Sequence, residues 1–534
     1  MKVLSPVIVD GESLTIENFV RVALFGNPIY LTEDAKILAD LRASRDFYWE
    51  CVKKGLYAYG GGTGVGSNVV HIIPLEDRIE FQARLIDSLY CGVGEELAKK
   101  IIRGSILLRT NALVKKACSA IGTDKIYKCI ELLNRDIAPI MYEDGSVGAS
   151  GDLVPLSSIA EAIQGKGKAR YKGRVWITAE LFAELGVAPL TLEEKEGLSL
   201  VNGTSVMTAL AAFALYEAYY LTDLSLACAG MAGEALLGMT DPLHPFVHEV
   251  KNHPGQRQAA SFLRELLRGS HLTRDLENLR TQVIESVGDS NHTVKTPIEL
   301  QDPYSVLRCV PQLFGPTLEI LELVERWIVN EMNSANDNPI VNLLERKIHH
   351  TGNFSGFYIA LGMDILKLAI FNIADLMHAL QERMLNNKCN RGLPPSLAGE
   401  DPGFNSGFKG VGLCGSDIFG KVCFLSNPYS IHRRSAEIGN QEVVSFGFGA
   451  AEYALEQIKK YQEQVAEVLI HAVQALDLRT GRDTTQLAPK TIEFYQQVRK
   501  KVAFLGADRP MHDDIVKVVR MIKNHKFQLD SVKA

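Results

Sequence analysis

Residues 204–238 read TSVMTALAAFALYEAYYLTDLSLACAGMAGEALLG, and how this stretch meets solvent decides the fold. Its apolar residues recur every three or four positions with no proline to interrupt them, which is helical spacing. The most apolar part, Val206 to Leu221, approaches a membrane span in length, but Glu217 interrupts it, so it reads as a buried core helix. Thr204 and Ser205 stand where an N-cap is needed. Comparably long apolar-periodic segments occupy 305–335, 356–386 and 440–478. Helices of that length without internal caps predict a mainly α chain built on a long-helix bundle.

Before this core the spacing predicts helices over 13–24, 32–55, 75–102 and 107–134, separated by Gly-rich or Pro-bearing loops. A β-rich patch runs from Ala169 to Trp176, where Lys172-Gly173 suits a hairpin turn. The last fifty residues, rich in Lys and Arg with His512 and His525, read as a helical cap. The expected division is therefore a loop-rich portion over 1–200, a bundle over 201–480 and a cap over 481–534. At 534 residues, 46% hydrophobic and 22% charged, the chain can bury a large core. A net charge of -6 gives no basic footprint for nucleic acid. The N-terminal residues lack the pattern of a signal peptide. Nine scattered cysteines with no CxxC pair speak against a disulfide framework or zinc site. The expectation is a reduced cytoplasmic protein with no bound metal and no membrane or nucleic-acid partner.

The run Gly148-Ala149-Ser150-Gly151-Asp152 offers chemistry that side chains do not. If the chain turns sharply there, the Gly151 nitrogen can attack the Ala149 carbonyl. Loss of water, including the Ser150 hydroxyl, then leaves a methylidene-imidazolone ring with an exposed electrophilic carbon. Side chains supply nucleophiles, acids and bases, whereas electrophiles come from metals, cofactors or modified backbone. Taken alone, the tripeptide also reads as a flexible turn.

Other candidates lie far apart in sequence. Tyr59 precedes five glycines in seven positions, 60–66. No Lys-Ser/Thr follows and the spacing is not GxGxxG, so a mobile lid presenting Tyr59 fits better than a phosphate loop. Tyr304 and Arg308 stand at i and i+4, on one face of a predicted helix. A guanidinium there can lower the phenol's pKa or clamp a carboxylate. Residues 333–338 hold three asparagines and an aspartate before Pro339, which suits either a C-cap or a polar pocket wall.

With these pieces go Asn202-Gly203-Thr204, His253-Pro254-Gly255-Gln256, Pro311-Gln312, Gly352-Asn353-Phe354, Gly392-Leu393-Pro394-Pro395, Asn440-Gln441-Glu442 and Gln474 to Arg479. In this order, from Tyr59 to Arg479, the chain resembles the histidine/phenylalanine/tyrosine ammonia-lyase and aminomutase family. The resemblance implies a long-helix homotetramer with shared active sites. It also implies a 4-methylidene-imidazol-5-one (MIO) group formed autocatalytically from Ala149, Ser150 and Gly151, with no dissociable cofactor. Asn202 would hydrogen-bond the developing oxyanion and Phe354 would pack by the ring. Tyr59 would remove the β-proton, Tyr304 would assist proton handling at the amine, and Arg308 would hold the substrate carboxylate. Asn336 falls in the matched polar wall.

The sequence departs from the family pattern near these residues. Gly62 replaces a usual Asn, Ser158 and Ser355 stand where His is common, and one extra residue precedes Arg308. An insertion in a helix rotates every later side chain by about 100°. Either the turn is wound differently, then, or the role of Arg308 shifts. Ring selectivity rests on Ser88-Leu89, which matches none of the family's usual pairs, and on Glu442, whose carboxylate can pair with an imidazole N–H. Lys388 is a further candidate contact. The first reading is an amine lyase for an imidazole substrate, either histidine to urocanate or a betaine such as ergothioneine. The alternatives are a tyrosine or phenylalanine ammonia-lyase or 2,3-aminomutase, and an inactive binding homologue.

Overall fold

The computed structural model describes residues 5–288 and 292–528. Among the described residues eighteen α-helices dominate, with nine short strands in small two- and three-stranded sheets. The longest helices are Ser205–Ala235, Val310–Met332, Phe357–Leu385 and Gly447–Thr480. The first of these spans most of residues 204–238, and its most apolar window is buried throughout. Apolar residues around the whole circumference, rather than one stripe, are what a helix needs to sit inside a protein core. The fold is mainly α and built on long helices.

The chain forms two compact units, each assembled from separated segments: residues up to 214 with 324–364 and 428–455, and residues 215–323 with 365–427 and 456 onward. In the first unit, Lys99–Val114 is buried from Ile101 to Val114 and carries Arg103 and Arg109 into the interior. The expected hairpin is present as Lys168–Tyr171 against Arg174–Ile177. Lys172 (φ 47°) and Gly173 (φ 79°) form its two-residue turn, matching the primed turns such hairpins favour.

Several predicted boundaries move. The expected 75–102 helix divides into Arg78–Leu89 and Lys99–Val114, with the strand Val93–Glu96 between them. The 107–134 segment is also broken, because Lys116, Ala117 and Ala120 adopt positive φ before Thr123–Asn134 begins. Apolar spacing continued across both breaks because each neighbouring helix buries a face of its own. Residues 440–446 are loop, and 304–308 are a separate wide turn ahead of Val310–Met332.

Candidate functional site

The first unit encloses a cavity of about 370 Å³ whose lining includes Tyr59, Leu89, Ser150, Asn202, Phe354, Glu437 and Gln441. Its floor is the 148–152 turn. Gly148 (φ 69°) and Gly151 (φ 72°) both occupy the left-handed region. A Cβ on Gly151 would overlap the Gly203 backbone, and one on Gly148 would overlap Ser445 Oγ. Conformation and space thus both call for glycine at these two positions.

Hydrogen bonds clamp the turn from several directions. Ser445 Oγ donates to the Gly148 carbonyl (2.8 Å), and the Asp152 amide donates to the Gly203 carbonyl (2.7 Å). The buried Asp152 carboxylate accepts from the Val206 and Met207 amides (both 2.9 Å) and from Ser146 Oγ (2.8 Å). Asp152 thereby caps the Ser205–Ala235 helix from a distant segment, satisfying amides that the helix itself cannot. Burial pushes its pKa up to about 7 despite these donors. On the cavity side, Asn202 Nδ2 donates to the Ser150 carbonyl (2.8 Å) and Gln441 Nε2 to Ser150 Oγ (3.3 Å). Ala149 is buried beside them.

The glycine-rich loop closes one wall. Tyr59 Oη accepts from the Gly66 amide at 2.8 Å. Burial raises the phenol's pKa, the Gly66 amide opposes this, and the Glu437 carboxylate adds to the rise. Gln82 ties the loop to the helix that precedes Asn202: its Nε2 donates to the Gly60 carbonyl (2.8 Å) and its Oε1 accepts from the Leu198 amide (3.3 Å). Gly61 and Gly62 rest on a buried layer in which Glu194 accepts from Tyr48 (3.1 Å) and Arg78 (2.9 Å). A Cβ at Gly62 would stand 2.9 Å from Arg78 Nη2. A side chain at position 62 would therefore require the Arg78 guanidinium to shift.

The other sequence candidates lie elsewhere. Asn336 is buried under Gly203, where its Oδ1 accepts from Arg109 (2.9 Å). Glu442 is exposed, while its neighbour Gln441 lines the cavity. Tyr304, Arg308 and Lys388 belong to the second unit. There the Arg308 guanidinium stacks over the Tyr304 ring at 4.9 Å, and Tyr304 is 68% exposed. The extra residue before Arg308 is absorbed by a wide turn in which Val306 is extended (φ −93°, ψ 85°) and Leu307 is left-handed (φ 59°). Leu307 is buried against Gly233 and Gly238. The turn is wound differently, which is one of the two outcomes the sequence allows. Lys388 is exposed at the edge of a cavity within that unit, beside Arg274, Arg383 and Arg391.

Gln441 and Glu437 are cavity residues that sequence reasoning does not single out. Gln441 lies inside the matched Asn-Gln-Glu motif, but the carboxylate beside it carries the more obvious chemical signal. Glu437 reaches the cavity only because its loop folds back onto residues 66–70.

Residues 14–500 match the family model for aromatic amino acid lyases. The histidine ammonia-lyase of Geobacillus kaustophilus (strain HTA426) is 34% identical over 488 residues, covering 91% of this chain and 92% of that protein. The tyrosine 2,3-aminomutase of Chondromyces crocatus is 35% identical over 455 residues, 85% of each chain. The crystal structure of a tyrosine aminomutase from Streptomyces globisporus superposes with a TM-score of 0.93 at 31% identity, covering 98% of this chain and 100% of that one. The cavity, its glycine-bounded floor and the match along nearly the whole sequence agree: this chain belongs to the aromatic amino acid lyase family.

Proposed function

We propose that this protein is a carbon–nitrogen lyase that eliminates the amine of an aromatic amino acid, using an MIO group formed from Ala149, Ser150 and Gly151. The observation that carries the reading is the Asn202 carboxamide on the Ser150 carbonyl, above a turn that tolerates only glycine at 148 and 151. Residues of that kind fit an internal cyclisation, which needs close backbone approach and no Cβ on the attacking residue. The MIO group supplies an electrophilic carbon that activates the substrate for loss of its amine. The chain's own residues do the rest. Tyr59 takes the β-proton, and the carboxamide of Asn202 stabilises negative charge where it develops. Phe354 packs beside the ring and Leu89 bounds the aromatic pocket. In the homotetramer with shared active sites that we propose, the exposed Tyr304 and the half-buried Arg308 serve a site completed by another copy: Arg308 holds the substrate carboxylate, and Tyr304 assists at the amine. The protein is proposed to work in the cytoplasm.

For the substrate, the first reading is an imidazole, either histidine giving urocanate or a betaine such as ergothioneine. It is supported by the histidine ammonia-lyase relative and by the Glu442 carboxylate in the Asn-Gln-Glu motif. A specific observation favours the second reading, a tyrosine or phenylalanine ammonia-lyase or 2,3-aminomutase. Within one chain the cavity is lined by the neutral amide of Gln441, while Glu442 faces outward. Incubating the purified protein with histidine, ergothioneine, tyrosine and phenylalanine, and following the ultraviolet absorbance of conjugated acrylates, separates the two. Urocanate-type product is expected on the first reading; coumarate or cinnamate, or for a mutase a β-amino acid isomer resolved by chromatography, is expected on the second. Ser150→Ala should abolish ammonia release, and undiminished release would rule out the MIO route.

A further inference from the structure

Beneath Asn202 and Gly203 lies a buried ionic layer that none of the proposed catalytic steps uses. Lys195, with a side chain 1% exposed, gives its ammonium to Asp337 Oδ2 (2.9 Å), Ser199 Oγ (2.6 Å) and the Ser119 carbonyl (2.9 Å). The guanidinium of fully buried Arg109 donates to the Asn336 carbonyl (3.1 Å) and Oδ1 (2.9 Å), and through Nε and Nη2 to the Ser199 carbonyl. Two cations are thus buried near one carboxylate, Lys195 in contact with it and Arg109 acting on it through space, a costly arrangement that apolar packing would usually match or better. The return on that cost lies in what the cations position.

Glu196–Val201 is a helix of six residues ending at Asn202. The Gly203 amide turns back to the Val201 carbonyl, so the Ser199 carbonyl takes its hydrogen bonds from Arg109 instead. A Cβ on Gly203 would overlap both Arg109 Nη1 and Asn336 Oδ1, so the guanidinium lies directly against this residue. On its other side, the Gly203 carbonyl accepts from the Asp152 amide and abuts Gly151. Guanidinium, Gly203 and the Gly151–Asp152 peptide are stacked in that order.

We propose that Arg109 is a positioning residue for ring closure, holding Gly203 so that its carbonyl fixes Gly151 in the tight turn that cyclisation requires. The inference rests on the MIO reading. Closure forms a bond from the Gly151 nitrogen to the Ala149 carbonyl carbon. The carbonyl oxygen leaves as one water, taking the Gly151 and Ser150 amide protons. The Ser150 hydroxyl leaves as a second water with the Ser150 Cα proton, so the product is lighter by two waters and nothing is oxidised or reduced.

The test is the time course of that mass loss in the peptide spanning 149–151 after cell-free synthesis of the full chain, with thermal melting followed in parallel. Arg109→Lys keeps the charge but loses the forked contact, and it should slow dehydration by roughly tenfold or more, as misplacement of reacting groups does. Asn336→Ala, which removes one acceptor of the guanidinium and no charge, should slow it less. Should Arg109→Lys fail to fold, the Asn336→Ala time course decides alone. A wild-type-like dehydration rate in a folded variant overturns the role of Arg109 and leaves the MIO reading intact. A wild-type peptide that never loses two waters overturns both.

Discussion

Asn202 Nδ2 donates to the Ser150 carbonyl at 2.8 Å, while the Asn202 Oδ1 is buried without a hydrogen-bond partner among the described residues. A buried, unsatisfied acceptor costs free energy, so the carboxamide is held for what its N–H does. Removing a donor of this type from an acyl-centred site lowers kcat by about 10²–10³-fold. Asn202→Ala should show a loss of that order, measured on whichever substrate the wild type turns over. Mass analysis of the 149–151 peptide will show whether ring closure fails as well. A loss in kcat of only a few-fold would remove Asn202 from the chemistry.

Tyr59 must lose its proton before it can act as a base, and its surroundings oppose that loss. Burial raises its pKa, and Glu437 adds to the rise. Activity should therefore climb as pH rises through the alkaline range. Glu437→Gln removes the carboxylate that disfavours the phenolate, so the climb should begin at lower pH. The kcat profile is the measurement, because KM can change for separate reasons when a cavity residue is altered. An unshifted profile would mean that another group is the base. Gly66→Ala tests the same wall: its φ of 58° and the overlap of a Cβ with Glu437 Oε1 should disrupt the Tyr59 contact. A fall in kcat/KM of about tenfold or more, without loss of fold, is expected.

Asp152 links the turn to the core helix, and its pKa of about 7 against an ordinary 3.8 makes that link pH-dependent. The folded form keeps this proton to higher pH than the unfolded chain does. Between those values the folded state binds more protons, so this group's contribution to stability is full below about pH 4 and is lost as pH rises through about 7. Asp152→Asn keeps an oxygen for the Val206 and Met207 amides and removes the titration. The stability difference between variant and wild type should move in the variant's favour by on the order of 3 kcal/mol over that window. Denaturant melts at pH 4, 5.5 and 7 will show it, and parallel curves would remove Asp152 as the source.

The sequence was most informative where one segment carries its own signal. The Ser205–Ala235 helix, the Lys172-Gly173 turn and the glycine-bounded 148–152 run are set by local spacing and by residues with few alternatives. What stayed hidden depends on distant segments meeting. Nothing near Gly62 in sequence announces that the Arg78 guanidinium lies beside it. The insertion before Arg308 had two possible outcomes, and tertiary packing of Leu307 against Gly233 and Gly238 selected one. The choice between Gln441 and Glu442 turns on one residue of register in a loop, where no periodicity helps.

That register supplies the sharpest remaining prediction. If an imidazole is the substrate and Glu442 receives its N–H in the assembled enzyme, Glu442→Gln should lower kcat/KM for histidine by roughly tenfold or more, the order of a hydrogen bond to a charged group. Gln441→Ala, whose contact with Ser150 Oγ is lost once the ring has formed, should then act alike for every substrate. If the substrate is phenylalanine or tyrosine, the exposed Glu442 has no imidazole N–H to meet, and Glu442→Gln should change kcat/KM by less than about twofold, as surface substitutions do. Gln441→Ala, which strips an amide from the cavity wall, should then be the damaging change. Steady-state kinetics of the two variants on all three amino acids distinguish these patterns. A histidine-active enzyme indifferent to Glu442→Gln would show that the imidazole is recognised by some other group, and Glu437, the carboxylate lining the cavity, would be the next to substitute.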